Sequence, residues 1–136
     1  MRSALRSTAA VVVGFIVASV VMMIVEAING HLIHPDLAKA AEGVTDREAL
    51  ERLAGAPRAF CRSSSAGWIL GSVAGGWTTA RIATGATVRH CTILGVLLTL
   101  AGIANNLMIP PPTWFWIAIV VFVPAAYIGA RLAPQR

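Results

Sequence analysis

The segment TAAVVVGFIVASVVMMIVEA, which runs from Thr8 to Ala27, decides the fold because it is 20 residues long and carries one charged side chain, Glu26. A helix of that length extends about 30 Å, which matches the hydrocarbon thickness of a bilayer. Lipid offers the backbone no hydrogen-bond partner, so a run of this length adopts a helix there. The segment therefore predicts a transmembrane helix at the start of the chain.

Three further apolar stretches follow. Of the 136 residues, 57% are hydrophobic and 12% are charged, against the ~25% charged residues of a soluble domain. This composition excludes a disordered chain, a nucleic-acid-binding arm and an ordinary water-soluble domain. We predict a single membrane domain over residues 1–136: an all-α polytopic protein built as an antiparallel four-transmembrane-helix bundle with a short extracytoplasmic helical cap. The predicted spans are about 8–28, 58–82, 90–109 and 113–132, and the extracytoplasmic loop is 29–57.

The placement of arginine predicts the orientation of the bundle. If the four helices alternate in direction, six arginines fall on one side: Arg2, Arg6, Arg81, Arg89, Arg131 and Arg136. Loop 29–57 instead mixes basic and acidic residues. The positive-inside rule then puts both termini in the cytoplasm. In the outer loop, Pro35 and the capping box Thr45-Asp46-Arg47-Glu48 predict two short helices, which form the cap.

The second span contains a row of small residues at intervals of four. Residues that are four apart share one face of a helix, and small side chains there let another helix approach closely. Gly14 in the first span is a candidate to face this row. Three interpretations stay open: packing within the chain, contact between copies, or the lining of a narrow pore. We name as the glycine seam the residues Gly67, Gly71, Gly75 and Gly76.

A layer of polar residues is predicted near the outer boundary of the membrane. Glu26 lies about 27 Å along the helix from Thr8, and it is the one acid inside an apolar span. Such an acid is costly unless it is paired, so we expect a partner in Arg62 or in the asparagines of the third span. The layer is either an interhelical clamp or a protonatable or ligand-binding site open to the outside. The predicted polar cluster is Glu26, Arg62, Asn105, Asn106 and Ser19, with serines 63–65 beside Arg62.

No pattern of catalytic or cofactor-binding residues is found. The chain has no nucleotide loop, no Ser-His-Asp set and no H-E-x-x-H motif. Cys61 and Cys91 form no C-x-x-C pair. His31 and His34 are the only hint of a weak metal site, and a pair of histidines in an interfacial loop is more often simply solvated. We therefore predict no catalytic residues, no metal, no cofactor and no nucleic-acid partner.

Three runs of sequence together carry a resemblance to a known group. They are Val11 to Glu26 with its acid near the end of the span, GSVAGGWTTAR from Gly71 to Arg81, and ANNLMIP followed by PTWFW from Ala104 to Trp116. In these runs the chain resembles a loose group of small, four-span bacterial integral membrane proteins whose function is unassigned. The resemblance covers nearly the whole chain. It implies the bacterial cytoplasmic (inner) membrane, and it implies no activity.

Three functions are compatible with these features. The first is a small integral membrane protein that acts through helix–helix contacts, as a homo-oligomer or as an accessory subunit of a larger membrane complex. The second is a small transporter or channel that uses the polar site around Glu26. The third is a lipid- or quinone-binding membrane protein. The expected partners are the lipid bilayer and either a second copy or other membrane subunits.

Overall fold

The computed structural model describes residues 2–36, 39, 58–83, 85, 87–108 and 113–134. Throughout these residues the regular structure is helical, with no strand, which confirms the all-α class. Most of the predicted cap lies outside the described residues. The elements are α1 (Arg2–Ile28), a π-helical turn (Asn29–Ile33), α2 (Arg58–Ile82), α3 (Thr87–Met108), a 3₁₀ helix (Thr113–Val121) and α4 (Phe122–Leu132).

Two helical segments are long and apolar enough to cross a membrane. One is Leu5–Ile33, with a mean hydropathy of 2.7 in its most apolar stretch, and the other is Thr87–Met108, with 1.7. Helix α2 is diluted by glycine and serine, and the last apolar segment is divided between two helix types. By length and composition, membrane crossing therefore rests on α1 and α3.

Helix α2 lies at the centre of the bundle and packs against α1, α3 and α4. Within the described residues, α1 and α4 do not touch and lie on opposite sides of the α2–α3 pair. Helices α1 and α2 run antiparallel: Gly14 lies beside Thr79, and Val25 lies beside Gly67. The two helices thus pack along nearly their whole length.

The helix of the first span does not stop at residue 28 but continues as the π-helical turn. The backbone N–H of His34 donates to the carbonyl of Asn29 at 2.9 Å, which closes this wider turn. Single π turns are rare and concentrate at functional sites. Here the turn places Asn29 inside the bundle, fully buried.

The fourth span changes from 3₁₀ to α geometry at Phe122. The sequence predicts a kink at Pro124, near the middle of the fourth predicted span. Pro124 lies in the first turn of α4, directly after the change of helix type. Because 3₁₀ geometry rises more steeply, the two segments together extend about 34 Å. That length still matches a bilayer core of about 30 Å.

Small residues fill the inside of the bundle, and large apolar residues cover the outside. On α1, Ala10 and Ala18 are fully buried, whereas Ile16 and Met23 are 53% and 70% exposed. The larger buried side chains form one cluster around Leu94. A water-soluble protein places its large aliphatic side chains in the core. The other large exposed residues include Val12, Val20, Ile24, Leu70, Leu100, Leu107, Ile117, Val120 and Ile128.

The glycine seam lies against neighbouring backbones on two sides of α2. A Cβ on Gly75 would come within 2.6 Å of the Gly14 carbonyl oxygen, and one on Gly71 within 2.7 Å of the Ala18 carbonyl oxygen. A Cβ on Gly76 would overlap the carbonyl of Ala126 in α4. Helix α2 therefore uses its glycines to approach α1 and α4 within the same chain.

The substitution Gly76→Ala tests this close packing. The added methyl group cannot fit unless α2 and α4 move apart, so we expect a loss of about 1–3 kcal/mol of stability. The measurement is the free energy of unfolding of the detergent-solubilised protein in a titration with sodium dodecyl sulfate.

The matched control is Ala66→Val, because Ala66 is exposed on the same helix. We expect it to change stability by less than about 0.5 kcal/mol. Equal effects of the two substitutions would contradict the close contact at Gly76.

Candidate functional site

A chain of hydrogen bonds joins α1 to α2 at the end of the bundle where α1 finishes. We call it the polar chain; its members are Glu26, Asn29, Ser63 and Ser64. The Ser63 hydroxyl donates to Asn29 Oδ1 at 2.5 Å, and Asn29 Nδ2 donates to Ser64 Oγ at 3.1 Å. The Ser64 hydroxyl in turn donates to Glu26 Oε2 at 3.1 Å. All three bonds point toward the carboxylate, and bonds aligned in this way polarise one another.

The geometry of α1 and α2 positions these four side chains. Glu26 and Asn29 are three residues apart and face the same side of the helix because the π turn continues it. One turn after Ser63, Gly67 lies against Val25, whose Cγ1 would be 2.8 Å from an added Cβ. The missing side chain at Gly67 thus brings the two helices close enough for short polar side chains to meet.

Burial makes the polar chain energetically important. Asn29 is fully buried and Ser64 is 6% exposed, whereas Glu26 and Ser63 are partly buried. A buried polar group that loses its partner costs about 1–3 kcal/mol. The Ser64 hydroxyl both accepts from Asn29 and donates to Glu26, so it is the central member. This arrangement has the properties of an interhelical clamp that ends on a partly exposed carboxylate.

The predicted partners of Glu26 do not meet it. Arg62 and Asn105 are exposed, and Ser19 donates to the Phe15 carbonyl of its own helix at 2.9 Å. Among the described contacts of Glu26, the hydrogen bond comes from Ser64, so the expected pairing with Arg62, Asn105 or Asn106 is wrong. Arg62 stays exposed, and the Ser64 hydroxyl supplies the hydrogen bond to Glu26 without burying a second charged group.

Asn106 is buried but is not a member of the polar chain. Its side chain is 2% exposed, and within the described part of the structure its Nδ2 has no hydrogen-bond partner. The neighbouring Asn105 points outward. An unpartnered buried amide reduces stability, and it is an orphan donor inside α3.

Asn29 was missing from the predicted cluster. The sequence places the end of the first span at residue 28 and so assigns Asn29 to a loop. The usable signal was its spacing of three from Glu26, which puts both side chains on one face if the helix continues. The sequence places serines 63–65 at this level, but it does not identify Ser64 as the partner of Glu26.

The opposite end of the bundle carries four of the described arginines. Arg6 Nε donates to the Ile82 carbonyl at 3.1 Å and so joins the start of α1 to the end of α2. Arg81 lies over the Trp77 ring at 5.0 Å from its centre, and Arg131 over the Tyr127 ring at 5.9 Å. Arg89 is exposed in the first turn of α3. We call this the arginine end; its members are Arg6, Arg81, Arg89 and Arg131.

An apolar groove of about 270 Å³ lies between α1 and α3. It opens on the outer surface of the bundle, and polar atoms contribute almost nothing to its lining. Its walls hold no group suited to acid–base chemistry. Within the described ranges, no three His, Cys, Asp or Glu side chains lie together to hold a metal ion. The groove is lined by Val11, Val12, Phe15, Ile16 and Leu97.

Comparison with known proteins returned no match to a family model, to a curated protein or to a solved structure.

The substitution Ser64→Ala tests the clamp. It leaves Asn29 Nδ2 and Glu26 Oε2 without their shared partner, so we expect a loss of about 1–3 kcal/mol in the free energy of unfolding in mixed micelles. Ser19→Ala is the matched control, because that hydroxyl bonds only within its own helix and its loss should cost less than about 0.5 kcal/mol. A Ser64→Ala protein as stable as the control would refute the clamp.

The substitution Asn106→Leu tests the orphan donor. Leucine has a similar volume and no polar atom, so the variant should be as stable as the parent or about 1 kcal/mol more stable. Thermal unfolding in detergent measures the change. A marked loss of stability would show that the amide has a bonding partner in the folded protein, contrary to this account.

Proposed function

We propose that the protein is an integral membrane protein of the bacterial inner membrane that acts through helix–helix contacts, either as a homo-oligomer or as an accessory subunit of a larger complex. The observation that carries the proposal is the inverted packing, with small residues such as Ala10 and Ala18 inside and large ones such as Ile16 and Met23 outside. Lipid-exposed helices favour this distribution, because close backbone contact is what holds them together.

The proposal includes four crossings. Helices α1 and α3 have the length and hydropathy to cross alone. Helix α2 packs on α1 from the bond between Arg6 and Ile82 to the bond between Asn29 and Ser64, so it would share the depth of α1. The last segment packs on α2 and α3, and its length is sufficient for a crossing.

The charge distribution supports cytoplasmic termini. The arginine end would face the cytoplasm, where the positive-inside rule favours arginine. The polar chain and the exposed Trp116 would lie toward the outer interface, where tryptophan is favoured.

A role in helix contacts accounts for the site better than transport does. Gly71, Gly75 and Gly76 lie against backbone carbonyls of α1 and α4, and Gly67 lies against the Val25 side chain; these contacts within the chain leave them no role as a pore lining. The Glu26 carboxylate accepts a hydrogen bond within the clamp. What remains available to a partner is the outer apolar surface, including the groove between α1 and α3.

Native mass spectrometry after extraction in a mild detergent distinguishes the candidate functions. A mass that is a multiple of the 14.3 kDa chain indicates a homo-oligomer, and co-purifying membrane subunits indicate a complex; either supports the proposal. A single chain that retains a quinone would favour the alternative of quinone binding. A monomer that carries no partner subunit and no quinone at any protein concentration would contradict the proposal.

A further inference from the structure

Two arginines at the arginine end are arranged in the same way on neighbouring helices. Arg81 follows Trp77 by four residues on α2, and Arg131 follows Tyr127 by four residues on α4, and each guanidinium lies over the ring before it. Arg131 also donates from Nη1 to the Tyr127 hydroxyl at 3.4 Å. A spacing of four places the ring one helical turn before the arginine, closer to the middle of the helix.

The two pairs lie on helices that are in close contact. A Cβ on Gly129 of α4 would overlap the Val73 carbonyl and would lie 2.9 Å from the Trp77 backbone nitrogen of α2. Trp77 and Tyr127 are 41% and 39% exposed, so both rings reach the outer surface of the bundle. The two pairs thus lie toward the same end of two helices that are in close contact.

The electrostatics of this surface favour an anion. The described acidic residues, Glu26 and Asp36, both lie at or beyond the opposite end of α1, so no described carboxylate offsets the arginines here. A guanidinium held over a ring by a cation–π contact keeps most of its N–H donors available to another acceptor. Those donors match the geometry of phosphate oxygens.

The apolar part of the same surface continues away from the arginines. Leu70 lies seven residues before Trp77, on the same side of α2, and is 55% exposed. Along α2 the order is therefore an aliphatic side chain, an aromatic ring and a cation. That order matches the acyl chain, the interfacial region and the phosphate of a lipid.

We propose that Arg81 and Arg131, held over Trp77 and Tyr127, form a binding site for the headgroup of an anionic phospholipid in the cytoplasmic leaflet. This proposal rests on the proposed crossing of the membrane. Each guanidinium offers N–H donors to the phosphate region of the lipid, and the acyl chains follow α2 past Leu70. The ligand class is a phospholipid with net negative charge, such as phosphatidylglycerol.

The test compares phosphatidylglycerol with phosphatidylcholine of identical acyl chains, by lipid titration and native mass spectrometry of the full chain. We expect tighter binding of phosphatidylglycerol, and a loss of that preference of roughly fivefold for each of Arg81→Gln and Arg131→Gln. Arg89→Gln is the matched control, since it removes the same charge at the same end without an aromatic partner in the described structure, and it should change the preference less than twofold.

Arg81→Lys separates a shaped site from general positive charge. Lysine keeps the charge but lacks the planar donors, so the preference should fall. If Arg89→Gln lowers the preference as much as Arg81→Gln, or if Arg81→Lys retains it fully, the proposed site is wrong. Displacement of the lipid by millimolar inorganic phosphate would also overturn it, because the site would then bind a soluble anion.

An extraction of membranes with alkaline carbonate keeps this test independent of the proposed function. If the chain is released, the crossing of the membrane fails and the lipid site fails with it. If the chain stays in the membrane and shows no preference for phosphatidylglycerol, the lipid site alone is wrong.

Discussion

The constraint on which the structure depends is the close approach of helix backbones through residues that have almost no side chain. Gly14 and Gly75 face each other, and a Cβ on either would lie 2.8 Å or less from the carbonyl of the other. At that separation the Thr79 hydroxyl reaches across to donate to the Ala10 carbonyl at 3.2 Å. In the proposed membrane setting, apolar burial would supply no attraction between helices, and contact at this distance would supply it.

The polar chain and the arginine end both follow from this close packing. The short side chains of the polar chain meet across α1 and α2 only because Gly67 allows Val25 to lie against the backbone. At the other end, Arg6 reaches the Ile82 carbonyl because the same two helices stay together there. The bundle therefore has one end where three hydrogen bonds lead to the Glu26 carboxylate, and an opposite end that carries Arg6, Arg81, Arg89 and Arg131. Such an asymmetry gives a membrane protein a defined orientation and distinct chemistry at its two surfaces.

The sequence predicts the helices well because their signal is local. An apolar run of sufficient length specifies a helix whatever its neighbours are, and α2 covers the residues of the second predicted span, 58–82. The partner of Glu26 could not be predicted in the same way. It depends on the continuation of α1 beyond Ile28 and on the rotation of Ser64 toward α1, and both are set by contacts between helices. The 3₁₀ segment before Phe122 is likewise invisible to a hydropathy pattern, because residues 113–121 are apolar nearly throughout and show no spacing that separates 3.0 from 3.6 residues per turn.

The most direct test of the account is the accessibility of single cysteines in sealed cells. With Cys61 and Cys91 replaced by alanine, single cysteines are placed at four exposed positions at or beyond the ends of helices: Leu32, Gly85, Thr113 and Pro134. Four alternating crossings predict that a membrane-impermeant maleimide labels positions 32 and 113 from outside and reaches 85 and 134 only after permeabilisation. Labelling of all four positions from one side, or recovery of the protein in the soluble fraction, would contradict the account.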